Sequence, residues 1–129
     1  MTTTSTRIRQ IGLVCVPTLD QDRAIAFYEG LGFEKRTDIP FGNGQRWVEV
    51  APGDAVTTIA LAPPPPDRST GNRETGIGLQ TEDIDAFHAE LKAAGVDVDP
   101  EVSRMGDPVP PLLWLRDPEG NSLMVVETR

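Results

Sequence analysis

The chain has 129 residues, 38% hydrophobic and 25% charged, a balance that suits one soluble globular domain with a core of its own and excludes a disordered or membrane-embedded chain. Twenty acidic against twelve basic residues leave a net charge of −8 with no basic stripe to neutralise phosphates, which argues against nucleic-acid binding. Apolar runs such as Ile11–Val16 and Leu112–Leu115 fall far short of the about 20 residues that a bilayer-spanning helix needs, so no membrane segment is expected.

Met1–Arg9 is polar and Thr-rich, with no secretory signal readable in it, and is expected to be a frayed tail. Gln10–Val16, rich in Ile, Leu and Val, predicts a buried strand ended by Pro17 and Thr18. Cys15, the single cysteine, cannot form an intrachain disulfide; it is expected as a buried thiol in a reducing, cytoplasmic setting. Asp20 or a neighbour then caps a helix with Ala24, Phe27, Tyr28 and Leu31 on one face, stopped by Gly32. Phe33–Thr37 opens a strand, Pro40–Gly44 supplies a turn, and Arg46–Ala51 and Val56–Ala62 follow as strands on either side of the Pro52-Gly53-Asp54 turn.

Residues 63–75 are a polar, Pro-rich connector that cannot join a ladder. Gly76–Thr81 predicts a strand, and Asp83 starts a helix with Ile84, Phe87, Leu91 and Ala94 on one face, stopped by Gly95. Strands follow at Val96–Val98, Leu112–Arg116 and Ser122–Glu127, the last two joined by the turn Asp117–Asn121. The Met105–Pro111 loop is positioned to fold over a cleft.

The second half repeats the first. One offset of 63 residues aligns Leu13 with Gly76, Asp20 with Asp83, Asp22 with Asp85 and Gly32 with Gly95. Two copies are too few for a solenoid, so the expectation is a single α+β domain over 1–129. It comprises two tandem βαβββ modules, 8–62 and 76–127, whose mixed sheets curl around a shared cleft.

The motifs Asp20–Tyr28, Leu31-Gly32-Phe33, Gln45-Arg46-Trp47, Ala94-Gly95-Val96 and Asp117–Asn121, in this order on a repeated βαβββ pattern, resemble the vicinal oxygen chelate superfamily of glyoxalases, extradiol dioxygenases and bleomycin-resistance proteins. The resemblance implies a homodimer and, in metal-dependent members, a divalent ion held by His or Glu at the first and last strands of each module. Carried over, those positions are Leu13, Ala60, Gly76 and Met124, which carry no oxygen or nitrogen side-chain donor, and neighbours one residue away do not restore a site. No metal and no cofactor is therefore expected. The one histidine, His88, falls on the second helix, in a boundary position rather than a ligand role.

The expected cleft lining is Leu13, Cys15, Ala60 and Met124 by the period-two rule, with Gly76, the aromatics Trp47 and Trp114, and Phe41 reaching in from a turn. Gly76 also reads as a close-packing position or a strand irregularity, and the two tryptophans as core. Arg46 and Arg116 pair with a ligand anion or, preferably, with Glu49 and other surface acids. The first functional reading is a metal-free protein that binds or sequesters a small molecule, cationic or aromatic, without altering it. The alternative is an enzyme of the same fold, a lyase, isomerase or dioxygenase-like catalyst, drawing acid or base groups from Cys15, Tyr28 or Glu49; no catalytic residue is assigned.

Overall fold

In the computed structural model, which describes residues 7–64 and 70–128, the repeat in the sequence is a repeat of structure. The first half runs β1 (Leu13–Cys15), α1 (Gln21–Gly30), β2 (Phe33–Gly42), β3 (Gln45–Pro52) and β4 (Thr58–Leu61). The second runs β5 (Glu74–Thr81), α2 (Ile84–Ala93), β6 (Asp97–Val98), β7 (Leu112–Arg116) and β8 (Ser122–Glu127). The expected tail over 1–6 and the connector segment 65–69 lie outside the described residues.

Both helices start in the same way. Asp20 Oδ1 accepts from the Arg23 N–H at 3.0 Å, and Asp83 Oδ1 accepts from the Ala86 N–H at 3.0 Å, each satisfying a donor that the first helical turn leaves unpaired. The two helices are offset by the same 63 residues as the sequence motifs, and Gly32 and Gly95 follow their last turns.

Two separate four-stranded mixed sheets result, with strand orders β1-β4-β3-β2 and β5-β8-β7-β6. In each, the first strand pairs in parallel with the last, and the other pairings are antiparallel. Alternation sorts the side chains. Val48, Val50, Ile59 and Leu61 turn towards one core, as do Leu113, Leu115, Leu123 and Val125, and all eight are buried. They pack with Ala24, Ile25 and Tyr28 of α1 and Ile84 and Leu91 of α2 into one hydrophobic cluster spanning both halves.

The halves are also joined by the turn between β7 and β8. Asp117 accepts from the Glu119 and Asn121 N–H groups, both at 2.9 Å, and from Asn121 Nδ2 at 3.0 Å, which fixes a buried Asp–Asn pair at the root of the turn. Its Glu119 Oε1 then accepts from the Leu19 N–H at 2.9 Å, just ahead of α1. The Tyr28 ring beneath stacks edge-on against Phe27 and tilted against Phe33, at centroid distances of 5.1 and 5.4 Å. Burial, with Asp117 and Glu119 nearby, pushes its phenol well above the usual range, so it stays neutral.

Three sequence expectations change here. β1 has three residues rather than seven, because its partner β4 begins only at Thr58, opposite Leu13; ahead of it the contacts are single bonds, from the Thr58 N–H to Gly12 O and from the Thr57 hydroxyl to Ile11 O. β5 begins at Glu74, two residues before the expected Gly76. The third concerns Pro40–Gly44. β2 continues through Pro40 and Phe41 to Gly42, and the turn is the two-residue loop Asn43-Gly44, with φ of 55° and 73°. That is the positive-φ hairpin favoured by Asn-Gly, and Pro40 is tolerated because β2 is an edge strand with a register irregularity beside it.

The matched caps give a direct test. Asp83→Ala should lower unfolding stability by about 1 kcal/mol in denaturant titration, and Asp20→Ala by a similar amount. An Asp83→Ala protein as stable as the parent would mean that the cap contributes nothing to α2.

Candidate ligand-binding faces

Among the described residues, a helix covers one face of each sheet and none covers the other. On the first sheet the residues alternating with the core set are Leu13 and Cys15 of β1, Thr37 and Ile39 of β2, Trp47 and Glu49 of β3, and Thr58 and Ala60 of β4, placed together by the register. One cross-strand row reads Cys15, Ala60, Glu49, Thr37. On the second sheet the corresponding row reads Gly78, Met124, Trp114. β7 and β8 alternate between buried and half-buried residues, and Trp114 and Met124 lie on the half-buried side.

The eight expected lining residues therefore divide. Leu13, Cys15, Trp47 and Ala60 share the open face of the first sheet, and Trp114 and Met124 share that of the second. Ala60 alone is fully buried, too short to rise between Cys15 and Glu49. Phe41 sits at the end of β2, in a strand rather than a turn, and is 56% exposed. Gly76 belongs elsewhere, in a groove of about 580 Å3 between β1 and β4 on one side and β5 on the other, beside Val14, Ile59 and Leu79. No atom crowds its Cα, and with φ of 74° in a stretch where β5 and β8 slip register, it is a strand irregularity rather than a close-packing site.

Cys15 corrects an expectation outright. It is exposed, because a three-residue edge strand places it with Leu13 on the side away from α1, while Val16 takes the core position. Arg46 pairs with surface acids as expected, though not with the one named. It does not meet Glu49; it grips Asp38 through Nε and Nη2 at 2.9 and 2.8 Å and reaches Asp22 of α1 at 2.9 Å, clamping the helix to the β2–β3 edge. That clamp, together with Lys35, holds the Asp38 carboxyl far below the usual range. Arg116 is paired in the same way, with Asp97 and Asp99 at 2.9 Å each. His88 is part-buried, its Nε2 2.8 Å from the Asp99 carbonyl. The Met105–Pro111 loop is rooted beside α2 by the Arg104–Asp85 pair at 2.7 Å, and Met105 stays exposed.

The residue missing from the expected lining is Glu49. Its Oε2 accepts from the Trp47 indole N–H at 2.7 Å and its Oε1 from the Thr58 hydroxyl at 2.6 Å. These two donors hold the carboxyl below its ordinary value against the opposing effect of partial burial, so it is ionised at neutral pH. The signal was present in the sequence. In β3, Trp47 and Glu49 alternate with the buried Val48 and Val50, which places a carboxylate and an indole on one face.

The family model of the Glyoxalase/Bleomycin resistance protein/Dioxygenase superfamily matches residues 10–125. The chain belongs to this superfamily. It is similar to YetH of Bacillus subtilis strain 168, with 31% identity over 93% of this chain and 99% of that one. Among solved structures it is similar to TnmS3, an antibiotic binding protein from Streptomyces sp. CB03234, at 34% identity and a TM-score of 0.82, covering 97% of this chain and all of that one. A superfamily member from Sphaerobacter thermophilus DSM 20745 matches at 34% identity and a TM-score of 0.86 over 95% of this chain and all of that one.

Leu13, Ala60, Gly76 and Met124, onto which the resemblance carries the metal-ligand positions, offer no oxygen or nitrogen side-chain donor. Among the described residues, no three His, Cys, Asp or Glu side chains converge. The side chains at these four positions do not fit a divalent ion.

The anchored carboxylate has a pH consequence. Because its folded-state pKa is lowered, the stability Glu49 contributes is complete above its unfolded-state value and is lost as pH falls through the folded one. Parent protein should be the more stable of the pair at pH 7, and its margin over Glu49→Gln should shrink as pH falls below the ordinary glutamate range in denaturant unfolding. A margin independent of pH would show that the two hydrogen bonds do not depend on ionisation.

Proposed function

We propose that this protein binds and sequesters an organic small molecule on the open sheet faces, as a homodimer, and releases it unaltered. The observation that carries the reading is that each sheet leaves one face without a helix, and that these faces hold both tryptophans together with Leu13, Ile39 and Met124. Leu13 at 40% and Ile39 at 58% exposure are apolar surface that covering would stabilise. The open face of one copy's first sheet against that of another copy's second would enclose a cavity walled by Trp47 and Trp114. The likeness to an antibiotic binding protein over nearly the whole chain supports binding as the activity. The single, unpaired Cys15 fits a reducing cytoplasm.

The walls suit a flat, largely apolar ligand. Burying about 200 Å2 of its apolar surface, at roughly 25 cal/mol per Å2, contributes on the order of 5 kcal/mol before the costs of association. Aromatic stacking adds to this.

One observation favours the enzyme reading. Glu49 is an ionised, hydrogen-bonded carboxylate on the same face, in the same cross-strand row as Cys15, and a carboxylate so placed is able to act as a base. Against it, the face presents no second acid or base group in contact with Glu49 apart from its two hydrogen-bond donors.

A thermal-shift screen of aromatic and cationic compounds, with each hit's mass checked after incubation, separates the two. Binding without change predicts stabilisation of about 2.7 kcal/mol at 100 times the dissociation constant and unchanged mass, whereas a new mass would replace sequestration by catalysis. In the same assay Trp114→Ala should weaken binding of a hit at least about tenfold while shifting the unliganded Tm little. An equal loss in unliganded protein would return Trp114 to a structural role.

A further inference from the structure

We propose that the ligand carries a protonated amine and that Glu49 is the residue that receives it, an assignment that rests on the open faces being the binding site. Glu49 is a half-buried carboxylate of the first sheet's open face that the fold leaves without a counter-charge; Glu34, on the same face opposite Ala51, is exposed. No ion pair among the described residues uses it. The cations of its own sheet are committed elsewhere: Lys35 to Asp38, Arg46 to Asp38 and Asp22, and Arg36 to the Gly53 and Ala55 carbonyls. Its neighbours across the strands, Ala60 and Thr37, are neutral.

Two features show that this carboxylate is prepared for a partner. The indole of Trp47 and the hydroxyl of Thr58 each take one oxygen, which fixes the plane of the group. A carboxylate offers about four acceptor positions, so two remain after these bonds are made. When a ligand covers a half-buried, ionised group, the lost hydration must be replaced by a donor and preferably by a charge; a neutral apolar ligand would strand it. An ammonium group supplies both. Neutral hydrogen-bond donors satisfy the first need only. On the second sheet the acid beside Trp114, Asp99, is already paired with Arg116, so the carboxylate left for a ligand cation is the one on the first face.

The test uses two probes of one shape, 1-naphthylmethylamine and 1-naphthylmethanol, titrated calorimetrically at pH 7 into the full chain, Glu49→Gln and Thr58→Val. The parent protein should bind the amine about tenfold more tightly than the alcohol. Glu49→Gln should bring the two affinities together by weakening the amine alone. Thr58→Val keeps the charge and should retain a preference for the amine, which separates charge recognition from damage to the sheet. Equal affinities in the parent protein would overturn the assignment to an amine and leave the binding face standing; failure of both probes would remove the face reading and the assignment with it. If Glu49→Gln instead turned a dimer into a monomer by light scattering, the carboxylate would be answering a cation of a second copy, and the proposal would fall.

Discussion

A four-stranded sheet has two faces, and this fold gives each sheet only one helix. Everything else in the molecule follows from that shortage. The helical side is closed by side chains that are buried almost without exception, from Val48 and Leu61 in the first sheet to Leu113 and Val125 in the second, and α1 and α2 merge the two cores. The opposite sides cannot be closed by the same means. They keep residues that are neither core nor ordinary surface: two indoles, a thioether, a thiol and one anchored carboxylate.

Charge is distributed to match. Four aspartates form two clamps. Asp38 and Asp22 hold Arg46, and Asp97 and Asp99 hold Arg116, so the guanidinium groups tie edge strands and helix together instead of projecting at a ligand. Glu49 departs from this arrangement. It is held by neutral donors, which orient it without neutralising it, and it is the point on the first face where charge would govern selectivity while the aromatic walls supply most of the affinity.

Much of this was legible in the sequence because it depends on short-range patterns. The Asp20 and Asp83 caps, the glycines after each helix and the 63-residue offset are local, and each appears in the structure at the residue expected. The misplacements depend on partners that local patterns do not contain. Cys15 looks buried in an apolar run, yet its exposure is decided by β1 lying at the sheet edge and by which of two alternating faces α1 covers. Phe41 looked like a turn residue because Pro40 and Gly42 punctuate the chain, whereas the Asn43-Gly44 pair sets the turn two residues later. Glu49 was visible as an acid, but its role needed Thr58, nine residues away on the neighbouring strand.

The chain has two tryptophans, Trp47 and Trp114, and both lie on the open faces, so its intrinsic emission reports on these faces alone. The most direct measurement is therefore tryptophan fluorescence during titration with a compound already known to raise the Tm. Binding on the open faces predicts saturable quenching or a spectral shift with the same midpoint as the stabilisation, halved or more in amplitude by Trp114→Phe. A compound that stabilises the protein fully while the emission of both indoles stays unchanged would place the ligand elsewhere and contradict the account.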